Sequence, residues 1–142
     1  MARGTRGTGE LRVVLVLGLH GDHGRRIHRS MTEVSGRLAT TIVQRYRERF
    51  GRGPTEARGY VGRDCAMVIL GNAQTEVERS LVAGGDAEAV EYMRRQVRKM
   101  ATDEFCEAAE EVLGRKVTAM LGDHHAVANT SVLVFLLEPD GT

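Results

Sequence analysis

Twice along this chain a long amphipathic stretch with helical spacing stops at a Gly-Arg pair and gives way to two short β-type runs. In the first copy Val34, Leu38, Ile42, Tyr46 and Phe50 recur every four residues behind the capping-box spacing Ser30-x-x-Glu33, which predicts a helix over about 31–50. It stops at Gly51-Arg52-Gly53-Pro54, where glycine takes a positive φ and proline cannot continue a helix. Thr55–Val61 and Cys65–Leu70, parted by Gly62-Arg63-Asp64, then read as a hairpin.

The second copy starts at Asp86. Val90, Met93, Val97, Met100, Ala101, Phe105, Ala108 and Val112 recur at spacings of three and four, and Gly114 ends the helix. At 1.5 Å per residue the element is about 40 Å long, enough to cross a four-stranded sheet and overhang it. Lys116–Leu121 and Ser131–Leu137 are the next two strands, with Gly122–Thr130 as the loop between them. The second of them is apolar at every position from Val132, which implies burial on both faces or cover by another subunit. Between the copies, Thr75-x-x-Glu78 caps a short helix whose apolar residues are Val77, Leu81 and Val82, stopped by Gly84-Gly85.

The order α-β-β-α-α-β-β implies an α+β two-layer sandwich: a four-stranded antiparallel sheet with its helices on one face. Phe50-Gly51-Arg52 and Leu113-Gly114-Arg115 at matching points raise the further reading of an αββ duplication. With 142 residues, 42% apolar and 27% charged, one core is expected and disordered or fibrous classes are excluded. The 20 basic and 19 acidic residues leave a charge of +1, so no general field draws the chain to nucleic acid. The apolar run Val13–Leu19 is far too short to cross a bilayer, so no direct membrane insertion is expected.

The first thirty residues differ from the rest. They carry six Arg against Glu10 and Asp22, and a boundary falls near Ser30. Residues 1–30 are expected to be a disordered or non-native N-terminal extension, and 31–139 a single domain. Two alternatives stay open: a secretory leader, for which no small-x-small cleavage site follows the apolar stretch, and an edge strand formed by Leu11–Leu19.

Candidates for chemistry are few. Asp123-His124-His125, placed in a loop, could bind zinc, but adjacent strand residues point apart and no third ligand is fixed nearby, so a solvated turn is preferred. His20, Asp22, His23 and His28 form a second cluster, within the extension. Gly51-Arg52-Gly53-Pro54-Thr55 lacks the lysine and the strand-to-helix context of a phosphate loop. Arg94, Arg95, Arg98 and Lys99 make a basic run flanked by Glu88, Glu91, Asp103 and Glu104, which reads as a solvated, self-paired face. Cys65 and Cys106 sit in different elements without a CxxC, so neither a disulfide framework nor a metal site is expected, and Cys65 reads as core. The catalytic motifs of hydrolases, metalloproteases and dinucleotide enzymes are absent from the sequence.

Arg45-Tyr46-Arg47-Glu48-Arg49-Phe50-Gly51-Arg52-Gly53-Pro54-Thr55-Glu56-Ala57-Arg58 resembles the signature of the MpsC-like proteins. The likeness continues through Thr75-x-x-Glu78, Asp103-Glu104-Phe105, Glu111-Val112-Leu113-Gly114-Arg115-Lys116-Val117 and Val134-Phe135-Leu136-Leu137-Glu138-Pro139, covering about residues 31–139. Gln74 and Glu76 flank Thr75 where members often carry leucine and proline. The resemblance implies a cytoplasmic accessory protein, peripheral to the membrane through transporter subunits that bring in bicarbonate or move cations, with no cofactor and no catalytic residues. Gly51, Gly53, Pro54, Thr75, Glu78 and Gly114 read physically as helix stops and a cap. Arg52, Arg58 and Arg115 beside those turns are the candidates for pairing with a partner's carboxylates. The leading expectation is thus a non-enzymatic adaptor that self-associates, as a homodimer, through its sheet or long helix. The alternative is an anion- or nucleotide-responsive sensor or small enzyme in which those three arginines converge on bicarbonate, phosphate or a nucleotide.

Overall fold

The computed structural model describes residues 12–15 and 24–139. The elements run β1 (Arg12–Leu15), α1 (Gly24–Phe50), β2 (Glu56–Val61), β3 (Cys65–Gly71), α2 (Glu76–Ala83), α3 (Ala87–Leu113), β4 (Val117–His125) and β5 (Thr130–Leu137). From α1 onward this is the expected order. Strands β2, β3, β5 and β4 form the antiparallel sheet, and β1 adds a fifth strand, parallel to β2. Two αββ units, α1-β2-β3 and α3-β4-β5, therefore meet along the β3–β5 seam.

Both Gly-Arg stops work as anticipated. Gly51 (φ 81°) and Gly114 (φ 63°) take the left-handed conformation, and their N–H groups donate to Arg47 O and Glu110 O, each at 2.8 Å. Gly53 lies beneath the stem of Arg47 and Pro54 is fully buried, so the segment after α1 is packed structure rather than an anion cradle.

The sheet's inner face carries Ala57, Ala66, Val68, Leu70, Leu133, Phe135 and Leu137. It packs under Leu38, Ile42 and Val43 of α1 and Ala101, Phe105 and Ala108 of α3. Each large side chain so buried contributes roughly 1.5–3 kcal/mol. The contact of α1 with β2 is close because of Gly59: a Cβ there would lie 2.0 Å from Ser35 O. The helix can ride on the strand at that height only over a glycine.

The structure differs from the sequence expectations at four points. Helix α1 begins at Gly24 and passes through Ser30, so the change in charge there is not a helix boundary. Within the expected N-terminal extension, residues 12–15 are a strand and 24–30 are helix, while the rest of that segment lies outside the described residues. Strand β4 continues to His125, which puts Asp123-His124-His125 in the sheet instead of a loop. Helix α2 turns Glu78 inward and leaves its apolar Val77 and Leu81, 71% and 39% exposed, on the outer side.

Candidate functional site

Helix α3 carries Arg94 between two apolar turns, and the spacing from Val90 to Ala101 and Phe105 puts all four on one stripe facing the interior. A guanidinium taken out of water needs partners for its N–H groups. The opening of α2 supplies them. Thr75 caps that helix, accepting from Glu78 N at 3.2 Å while Glu78 Oε1 accepts from Thr75 N at 3.0 Å, a closed capping box that aims the Glu78 carboxylate inward. Arg94 Nε donates to Glu78 Oε2 at 2.6 Å and Nη2 donates to Glu78 Oε1 at 2.8 Å, a bidentate pair. Nη2 also donates to Ala73 O at 2.8 Å, and Nη1 donates to the Tyr46 hydroxyl.

Four of the five donors of Arg94 are thereby engaged. The basic run was expected to be solvated; Arg94 is instead buried, at 7% exposure, because α2 brings a carboxylate to it from sixteen residues back in the chain. Burial tends to push the Glu78 carboxyl up, but the hydrogen bonds from Arg94 and Thr75 outweigh it and hold the group below its usual range. Burial raises the Tyr46 phenol above its ordinary 10.0, with Arg94 opposing and Glu78 adding to the rise. Tyr46 stacks on Phe105 at 6.2 Å between ring centres and meets Phe50 edge-on at 5.0 Å.

A second polar cluster lies beside the first. His124, inward-facing on β4 and 3% exposed, has Nε2 2.9 Å from Gln74 Nε2 and Nδ1 2.6 Å from Ser131 Oγ. An amide nitrogen only donates, and Gln74 Nε2 also donates to Ala126 O at 2.8 Å, so His124 Nε2 accepts and Nδ1 carries the proton. The imidazole is held neutral: burial, helped by Arg94, lowers its pKa from 6.5 to about 4. Glu91 Oε2 accepts from Ala126 N at 3.1 Å and Asn129 Oδ1 from Gln74 N at 3.1 Å, tying the β4–β5 turn to α3 and to the start of α2.

Over these clusters runs a groove of about 130 Å³ between the end of α1, the start of α2 and the middle of α3. Tyr46, Phe50, Met93 and Val97 line it, Arg94 and Glu78 lie along it, and Arg52 contributes an exposed cation. A smaller cavity of about 30 Å³, sharing Tyr46, Phe50, Arg94 and Val97 with it, reaches Phe105, Asp123, His124 and Ser131. Burial holds Tyr46 as the neutral phenol and Arg94 holds Glu78 as the carboxylate, each shifted away from the pH range of proton transfer near neutral pH, and the Arg94–Glu78 pair with Tyr46 ties α1, α2 and α3 together. Among the described residues no cluster of metal-ligating side chains forms.

The three arginines singled out in the sequence stand in three places. Arg52 borders the groove. Arg58 is exposed on the outer face of β2, in register with Ile69. Arg115 donates to Arg63 O at 2.8 Å and Glu138 O at 3.0 Å. That is the opposite end of β3 from Arg52, roughly 20 Å away along a seven-residue strand. They do not converge on one anion. Asp123 and His125 are exposed while His124 is buried, and the Asp123 carboxylate accepts from His124 N at 2.8 Å instead of meeting the ring. His20, Asp22 and His23 lie outside the described residues. Cys65, expected in the core, is half-buried on the outer face of β3. Sequence reasoning placed Arg94 and His124 at the surface, and it missed Glu78 as Arg94's partner and Gln74 as that of His124. The α3 stripe carried a signal for Arg94; nothing local marked the pairing with Glu78.

No curated protein and no solved structure matches the chain. Residues 30–139, most of its length, match the family described as Na+-translocating membrane potential-generating system (MpsC), the one that the Arg45-to-Arg58 and Glu111-to-Val117 motifs resemble. This chain, matched over residues 30–139, belongs to the MpsC family.

Proposed function

We propose that this chain is a non-enzymatic adaptor of a membrane-potential-generating system and works by docking an integral subunit of that system. The observation that carries the reading is the exposed apolar stripe beside the groove. Met93, Val97 and Met100 repeat at spacings of four and three along α3, with Met93 42% and Met100 67% exposed, and Val77 and Leu81 stand exposed on neighbouring α2. Methionine-rich surfaces adapt to partner helices at little strain, and Arg52 supplies a cation at the groove for a partner's carboxylate. The occupant argued for is an amphipathic helix with an acidic residue at one end, in a water-exposed segment of a polytopic subunit. Family membership supports the system. No helix among the described residues is long and apolar enough to cross a membrane, which fits attachment through a partner at the cytoplasmic surface.

The test is affinity capture with the full tagged chain from gently solubilised native membranes, read by mass spectrometry. Recovery of polytopic ion-transport subunits is expected from the parent protein and from Arg58→Glu. It is expected to fall at least about tenfold with Met93→Glu/Met100→Glu or Arg52→Glu, the loss of a central anchor costing 2 kcal/mol or more. Capture that ignores these substitutions, or no transport subunit at all, sinks the reading.

A further inference from the structure

Among the described residues both long helices pack on one side of the sheet, and no element packs on the other. That outer face is apolar at its centre: Met67 and Ile69 on β3, Val132, Val134 and Leu136 on β5, each only half-buried, with Leu121 of β4 56% exposed. Its rim is charged, and the charges are ordered. The register aligns Arg58, Ile69, Val132 and Asp123 in one row across β2, β3, β5 and β4. The next row is Glu56, Gly71, Thr130 and His125, with the Glu56 carboxylate reaching over Gly71, and the row on the other side is Tyr60, Met67, Val134 and Leu121.

We infer that this face is the interface of a homodimer, two sheets stacked about a twofold axis that lies between them, parallel to the strands and over the β3–β5 seam. Such an axis keeps height along the strands and exchanges left for right, so β2 of one copy lies over β4 of the other and β3 over β5. Each row then meets itself reversed: Arg58 faces the partner's Asp123, Glu56 faces the partner's His125, Tyr60 faces the partner's Leu121, and Ile69 and Met67 face the partner's Val132 and Val134. Arg58 thus meets an exposed acid, whose Oδ1 also accepts from His124 N at 2.8 Å, and Glu56 meets a histidine, each twice per dimer, around an apolar centre. A perpendicular in-plane axis would lay β2 over β2 and lose this match. Aligned sheets pack at about −30°, which offsets the outer strands by roughly one residue, within reach of an arginine side chain. The surface is distinct from the groove on the helical layer, so the dimer and the docking of a transport subunit succeed or fail separately.

Sedimentation equilibrium of the full chain tests it. The expected mass at tens of micromolar is twice 15.6 kDa. Val134→Lys, at the apolar centre, is expected to shift the protein to the monomer mass with its circular dichroism spectrum unchanged. Arg58→Asp and Asp123→Arg are each expected to raise the dissociation constant at least about tenfold, and the double reversal Arg58→Asp/Asp123→Arg to restore it to within about threefold of the parent. The charge reversals keep the test alive if Val134→Lys fails to fold. A monomer throughout this range, or a dimer whose dissociation constant ignores these substitutions, overturns the inference.

Discussion

Arg94 is the residue on which the helical layer turns. Its guanidinium binds Glu78 through two donors and reaches Ala73 O and Tyr46 as well, so one side chain spans α1, α2 and α3. Buried pairs of this kind contribute little over an apolar alternative, yet breaking one strands a charge in the interior. Arg94→Leu, which leaves the Glu78 carboxylate unpaired, is expected to cost about 3–5 kcal/mol in urea unfolding. Glu78→Leu should cost a similar amount. The double substitution should cost clearly less than the two together, because neither charge is then left alone. Additive losses would mean that the two residues act independently. Nothing adjacent to Arg94 announces this role: Arg95 next to it is exposed, and only the helical phase, with Val90 four residues before and Ala101 seven after, separates the two.

At the scale of elements, α2 exists chiefly to aim Glu78, and its cap sets that aim. Thr75→Ala removes the hydroxyl that accepts from Glu78 N and is expected to lower stability by about 1 kcal/mol, measured by chemical denaturation. Glu76→Pro should do the opposite. Glu76 is the exposed first helical position, and Thr75 before it is already extended at φ −73° and ψ 168°, so proline there fits without strain and is expected to stabilise by roughly 0.4–1 kcal/mol. Destabilisation by Glu76→Pro would show that its N–H has a partner the fold needs. The same element shows where legibility ended. Long periodic helices, glycine stops and the αββ order could be read from residues, because burial of apolar side chains decides them locally. The face of α2 could not, since its orientation follows from an ion pair with a residue sixteen positions away, which outweighs burial of Val77 and Leu81. The end of strand β4 is hidden in the sequence for a related reason. Its inward positions near the end are Gly122, over which Arg98 lies, and His124, and neither scores as apolar.

For the molecule as a whole, these polar groups set how folding responds to acid. His124 has a pKa of about 4 in the folded chain against 6.5 unfolded, so between those values the unfolded state binds more protons and stability rises with pH. On acidification the loss starts as pH falls below 6.5 and is complete near 4; from pH 7 to pH 5 it amounts to about 2 kcal/mol. Glu78 adds a second limb. Its carboxyl is held below the unfolded value of 4.5, so its contribution is present above that pH and is lost as pH drops through the folded value. The structural cause at His124 is specific: protonating Nε2 sets an N–H against the Gln74 amide N–H, while Gln74 remains bonded to Ala126 O. Urea midpoints at pH 7, 6, 5 and 4 should fall continuously across the histidine range, before the carboxylates titrate. Replacing Gln74 with Glu offers Nε2 an acceptor in place of a donor. That variant should flatten the pH 7 to 5 segment and raise the His124 titration followed by NMR. A His124 that titrates near 6.5 in the parent protein, or a stability flat from pH 7 to 5, would show that the imidazole is not held neutral between the sheet and α2.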